Sequence, residues 1–149
     1  IHTITIKIQR TNPNIKAYTK DFKDTVEKVI DETKSFEAIL INDDNTISEG
    51  SKSNVFFVKG ERLITSLDDE VLLGVTRNKV IEVCKKNDIE VERRVIEFKE
   101  LNSFDGAFIT GTSNDVLPIK TIDDITYNSA ENQVIMKVSK LYLKEVMKN

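Results

Sequence analysis

The sequence predicts a mixed α/β (α+β) domain, rich in strands and carrying about three main helices. Three observations lead there. Short apolar runs joined by tight polar turns fill the first half of the chain. Three stretches carry apolar residues at helical spacing and interrupt the strands instead of alternating regularly with them. The composition is globular, with 39% hydrophobic and 32% charged residues over 149 positions. That is too apolar for disorder and too charged for a membrane protein.

The elements follow in order. Ile4, Ile6 and Ile8 alternate with Thr3, Thr5, Lys7 and Gln9, the pattern of a strand with one buried face. Arg10 to Asn14 is a turn-rich break, where Pro13 disfavours helix at Asn12. Phe22, Val26, Val29 and Ile30 line one face of a helix from Asp21 to Lys34. Glu37 to Asn42 reads as a short buried strand, Asp43-Asp44-Asn45 as a hairpin turn, and Thr46 to Ser48 as the returning strand. Val55 to Lys59 and Arg62 to Thr65 form a second hairpin around Gly60-Glu61. Val80, Ile81 and Cys84 give a second helical stripe, with Thr76 as N-cap and Lys85, Lys86 and Asn87 at its end. Ile89, Val91 and Arg93 alternate as a strand. Gly106 to Thr110 and Val116 to Ile119 are two more, flanking a Gly-Thr-Ser-Asn loop. The last helix runs from Ser129 to Lys148 and buries Val134, Val138, Leu141, Tyr142 and Val146.

Several function classes are excluded by simple counts. The longest apolar runs, Ala38 to Ile41 and Val55 to Val58, are far shorter than the ~18 residues a membrane span needs, so no membrane partner is expected. Lys plus Arg number 22 against 25 Asp plus Glu, a net charge of −3, which provides no basic footprint for nucleic acid. The one cysteine, Cys84, cannot form an internal disulfide and suits a reducing cytoplasm; it reads as a small buried hydrophobe on a helix. His2 is the one histidine, and no His/Cys/Asp cluster has metal-ligand spacing, so no metal is expected. The chain starts on Ile1 and enters a strand at once, and such a strand needs neighbours, which are expected either later in this chain or in a segment ahead of it.

Chemistry concentrates at the glycines. Glu49-Gly50-Ser51-Lys52-Ser53-Asn54 precedes a strand, Leu73-Gly74-Val75-Thr76-Arg77 opens a helix, and Thr110-Gly111-Thr112-Ser113-Asn114 links two strands. Glycine lets a backbone approach a ligand closely, and neighbouring hydroxyls and a helix N-terminus suit an anion. The plain alternative is turn chemistry, and spacing by itself favours it. None of the three is a P-loop or a dinucleotide fingerprint.

With Asn12-Pro13-Asn14-Ile15-Lys16 ahead of them and Phe108-Ile109 leading into the last, these segments closely resemble the class IV aminotransferases, the fold-type IV enzymes that use pyridoxal 5'-phosphate (PLP). That family includes branched-chain and D-amino-acid aminotransferases and aminodeoxychorismate lyase. The similarity runs over nearly the whole chain in the family's order. It implies that residues 1–149 are a single C-terminal PLP-binding domain, with a smaller N-terminal domain absent from this chain. It implies transfer of an amino group between an amino acid and a 2-oxo acid, in a homodimer whose active site lies between domains. A lyase of the aminodeoxychorismate type, or a fragment that folds but lacks turnover, are the alternatives.

The resemblance also implies roles. Lys16 matches the lysine that forms a Schiff base with PLP, a task for an amine that can deprotonate, which arginine cannot. Glu49 matches the carboxylate that keeps the pyridine nitrogen protonated. Gly74, Val75 and Thr76 match the phosphate cup, and Gly111 and Thr112 match a second loop that touches phosphate or substrate carboxylate. Ser113 adds a donor to the substrate. Ser53 and Asn54 support the turn beside Glu49, and Arg77 reads as a first-turn helix residue that touches no ligand.

Overall fold

The computed structural model describes residues 1–7, 20–71 and 74–148. Ile8 and Gln9, the Arg10–Asn14 turn, Lys16 and Leu73 of the sequence reading lie outside the described residues. Two five-stranded sheets carry the fold. The first strand, β1 (His2–Lys7), leads through α1 (Lys20–Thr33) to β2 (Glu37–Ile41), and the two strands pair in parallel. β2 turns back into β3 (Ile47–Gly50), antiparallel, with a register shift between Ile39 and Ile41. β4 (Asn54–Lys59) and β5 (Arg62–Thr65) form the predicted hairpin, with Gly60 at φ 61° in the turn, where a side chain would be strained. After α2 (Val75–Lys86), β6 (Val91–Arg93) joins β5 in parallel. β7 (Gly106–Gly111) and β8 (Asp115–Pro118) close the second sheet, ordered β6-β5-β4-β7-β8. Two short strands, β9 (Thr121–Ile122) and β10 (Ile125–Thr126), extend the first sheet to β10-β9-β1-β2-β3. α3 (Gln133–Val146) ends the described chain.

Alternation along the strands builds two cores. Ile39, Ile41 and Ile47 of the first sheet meet Val55, Phe57, Ile64, Ala107 and Ile109 of the second. The opposite face of the second sheet, Phe56, Val58, Leu63, Phe108 and Val116, is covered by Val80 and Cys84 of α2 and Ile135, Val138 and Tyr142 of α3. α1 packs on β1 and β2 through its buried Val26. The expected mixed architecture therefore stands, as packed layers of two sheets and flanking helices.

Three local expectations change. Thr76 is not the N-cap of α2: Gly74 takes that position in extended backbone, with no side-chain cap. The last helix does not start at Ser129. A short 3₁₀ turn, Ser129–Glu131, stops at Asn132, whose extended backbone lets its side chain accept from the amides of Val134 (3.0 Å) and Ile135 (3.1 Å) and cap α3. The face of α3 is centred one position off, with Ile135 fully buried and Val134 at its edge.

Candidate functional site

A polar cleft forms where the α2-covered face of the second sheet runs out. Phe56 and Phe108 stack on that face with ring centroids 5.0 Å apart. Two residues further along each strand, Asn54 and Thr110 are register partners and carry the same face to its polar end. The N-terminus of α2 crosses here. A Cβ on Gly74 would sit 2.7 Å from Asn54 Oδ1, so a larger residue here would have to displace the Asn54 side chain. The first turn of the helix closes from Asn78 N to Gly74 O at 3.1 Å, so the amides of Val75, Thr76 and Arg77 precede the helical ladder. Such amides, with the helix dipole behind them, favour an anion.

β3 and the β7–β8 turn complete the cleft. Glu49 comes from β3 and is buried, at 4% exposure. The Ser51–Ser53 turn follows it, and Gly111 and Thr112 come from the turn closed by Asn114 N to Gly111 O, 3.1 Å. Together these residues line about 260 Å³ of space. Of the residues named from sequence, Glu49, Gly74, Val75, Thr76, Gly111 and Thr112 all lie on that lining. Ser113 does not; its side chain is solvent-exposed. Lys16 lies outside the described residues. Ser51, Lys52 and Thr110 line the cleft without having been assigned a role from sequence. Thr110 is 1% exposed and its Oγ1 has no hydrogen-bond partner among the described residues. Its signal was available, because strand alternation from Phe108 puts it on the α2 side.

The supporting contacts are long-range. Arg77 is 1% exposed and turns away from the cleft, donating to Ser66 O (2.7 Å) and Asp68 Oδ1 (3.0 Å). Ser66 Oγ in turn donates to Ser48 O (2.9 Å), so the start of α2 is tied to the strand that holds Glu49. Tyr142 of α3 donates to Asp115 Oδ1 at 3.1 Å. Burial first, and then the Asp115 carboxylate, raise the Tyr142 hydroxyl above its usual range, against a hydrogen bond from Thr76 that lowers it. The Thr76 hydroxyl is thereby engaged with Tyr142 and does not cap the helix, which leaves the Thr76 amide as its donor toward the cleft. Burial pushes the Cys84 thiol up to about 11, and the side chain packs in the second core. No group of three or more His, Cys, Asp or Glu among the described residues could hold a metal, and no described helix is long and apolar enough to cross a membrane.

Comparison with known proteins gives a consistent picture. The family model for amino-transferase class IV matches residues 1–122. A probable branched-chain-amino-acid aminotransferase from Aquifex aeolicus is 41% identical over 103 residues, 68% of this chain and 33% of that protein. A D-alanine aminotransferase from Bacillus licheniformis is 33% identical over 117 residues, 78% of this chain and 41% of that one. A crystal structure of the T.th. branched-chain amino acid aminotransferase, complexed with N-(5'-phosphopyridoxyl)-L-glutamate, superposes with a TM-score of 0.85 at 25% identity, covering 99% of this chain and 52% of that one. The chain thus spans a third to about half of the length of the proteins it matches.

Proposed function

The chain belongs to the amino-transferase class IV family, and on that premise we propose that it is the PLP-binding part of an aminotransferase that moves an amino group between an amino acid and a 2-oxo acid. The observation that carries this reading is the meeting, in one cleft, of a buried carboxylate with the first-turn amides of a helix N-terminus. PLP has a phosphate dianion at one end and a protonatable ring nitrogen elsewhere. The residues present fit it: amides for the anion, Glu49 for the nitrogen, and the orphaned Thr110 hydroxyl for a further polar group. When bound, PLP supplies an electron sink for charge that develops at a substrate carbon.

The chain's own residues have distinct tasks in this reading. Glu49 holds a proton at the ring nitrogen by charge, since a carboxylate beside it favours the protonated form. The amides of Val75 and Thr76, reached across Gly74, bind the phosphate. Gly111 and Thr112 orient phosphate or substrate carboxylate, with Ser113 as a further donor from the same turn. Lys16 would hold the cofactor through its side-chain amine and would move the proton of the substrate carbon. The surroundings of a larger homodimer in a reducing cytoplasm belong to the same proposal, and the buried free thiol of Cys84 agrees with that compartment.

The test uses the full-length protein. After incubation with PLP and hydride reduction, mass spectrometry should find a cofactor adduct on the peptide containing Lys16. A screen of amino donors against 2-oxo acids should give transfer that Lys16→Ala abolishes. Reduced protein with Lys16 unmodified would sink the proposal.

A further inference from the structure

Glu37 opens β2 and is 4% exposed, yet it belongs neither to the cleft lining nor to any ion pair with a described residue. Its carboxylate instead takes four donors. Oε1 accepts from the Ala38 amide at 2.8 Å and from the Ser51 hydroxyl. Oε2 accepts from the Lys52 amide at 3.0 Å and from the Ser53 hydroxyl at 2.9 Å. Three of these donors belong to the turn between Glu49 and Asn54. Gly50 N to Ser53 O (2.9 Å) closes that turn, and Ser51 N to Ala38 O (2.9 Å) hangs it on β2. The packing leaves no slack: a Cβ on Gly50 would lie 2.1 Å from Ser53 Oγ and 3.0 Å from Glu37 Oε2.

The turn wrapped around Glu37 is the same backbone that walls the cleft, through Glu49, Ser51, Lys52, Ser53 and Asn54. We infer that Glu37 is a positioning residue: its buried carboxylate is the internal anion on which the 50–53 turn is built, and through that turn it fixes the Glu49 carboxylate in the cleft. An ionised carboxylate is a pure acceptor and can take all four donors. A carboxamide of the same shape cannot. Its NH₂ would face the Ala38 or the Lys52 amide, whichever way it is flipped, and the bonds that remain to the turn lose the charge that strengthens them. The inference rests on the PLP reading for its functional consequence, but its structural part does not.

Two measurements on the full-length protein test both parts. Amide hydrogen exchange on ligand-free protein should rise roughly tenfold to hundredfold at Ser51 to Asn54 in Glu37→Gln, the scale of losing one or two buried charge-assisted hydrogen bonds, with β4 and β7 unchanged. Ser51→Ala combined with Ser53→Ala keeps the carboxylate and should give a smaller rise at the same amides, which keeps the test open if Glu37→Gln folds poorly. PLP affinity, read by spectroscopic titration, should fall about tenfold in Glu37→Gln, and less than about twofold when Glu49 is already Gln, because a residue acting through Glu49 loses its effect without it. Unchanged exchange in the turn would overturn the inference, as would an equal loss of affinity in both backgrounds, which marks a merely structural role. Wild-type protein that takes up no PLP would count against the functional reading, while the exchange comparison still decides what Glu37 does.

Discussion

Two carboxylates on neighbouring strands are buried to the same degree and face different tasks. Glu37 is surrounded by donors from its own chain. Glu49 lies on the wall of a cleft. A carboxylate removed from water needs compensation, and in the proposed site a protonated ring nitrogen is part of it. Replacing Glu49 by Gln keeps the shape and removes the charge. Turnover should then fall roughly 10²–10³-fold, the scale of deleting one fixed electrostatic partner, while bound PLP remains detectable. Glu49→Asp, which restores the charge at a shorter reach, should recover part of the loss. Steady-state kinetics of the two variants check this, and equal activity in wild type and Glu49→Gln would remove Glu49 from the mechanism. Cys84 gives the opposite case. Its thiol, held near 11 by burial, stays a packing residue, as its place on the helical stripe indicated.

At the level of elements, α2 is the part whose position matters most, and Arg77 sets it. The guanidinium links the first turn of α2 to Ser66 O and Asp68, and through Ser66 to β3. Arg77→Met fills the space but leaves the buried Ser66 carbonyl without this donor, while the half-exposed Asp68 keeps Arg93. It should cost about 1–3 kcal/mol, the range for a buried acceptor that loses its donor. It should also weaken PLP binding, because the amides of Val75 and Thr76 move with the helix. Urea unfolding and cofactor titration on the same variant check both effects, and a loss of stability with unaltered binding would show that α2 stays in place without the brace. These links explain what could be read from the sequence. Periodicity located the helices and most strands, because it depends only on which residues are buried. It gave β1 as a strand but neither its burial, since Thr3 is buried while Ile4 and Ile6 are half-buried, nor its parallel partner β2, because alternation carries no information about neighbours. Thr76 looked like a cap because Thr before an apolar stripe usually is one. The cap fell to Gly74, where a Cβ would come within 2.7 Å of the Asn54 side chain, a proximity between distant residues that no local pattern carries. The glycine turns of the site were legible as a group through their resemblance to a family. Glu37 was not, since a charge at the head of an apolar strand looks the same whether it meets water or four donors.

At the scale of the whole molecule, Tyr127 ties the C-terminal segment to the core between the sheets. It packs with Leu101, Phe104, Ile119 and Ile122 in the inter-sheet core, and its hydroxyl donates to Leu101 O at 2.5 Å. The ring is 6% exposed, so ionising it means placing a charge among apolar side chains. Burial raises its pKa well above the ordinary tyrosine value of 10.0. The sign of the linkage follows. A group whose folded pKa is raised contributes stability that is fully present below the unfolded value and is lost as pH climbs toward the folded one. Stability should therefore decline above pH ~10, by up to about 1.4 kcal/mol per pH unit for this one phenol. Tyr127→Phe removes the titration and also strands the Leu101 carbonyl. The variant should be less stable at pH 7 by about 1–2 kcal/mol, yet lose less than wild type between pH 9 and pH 11. Tyr142 also titrates upward and is common to both proteins, so the difference between their pH profiles isolates Tyr127. Urea unfolding across that range measures it. Parallel profiles would mean that the phenol ionises without unfolding the inter-sheet core, and that the C-terminal segment can detach while the two sheets stay packed.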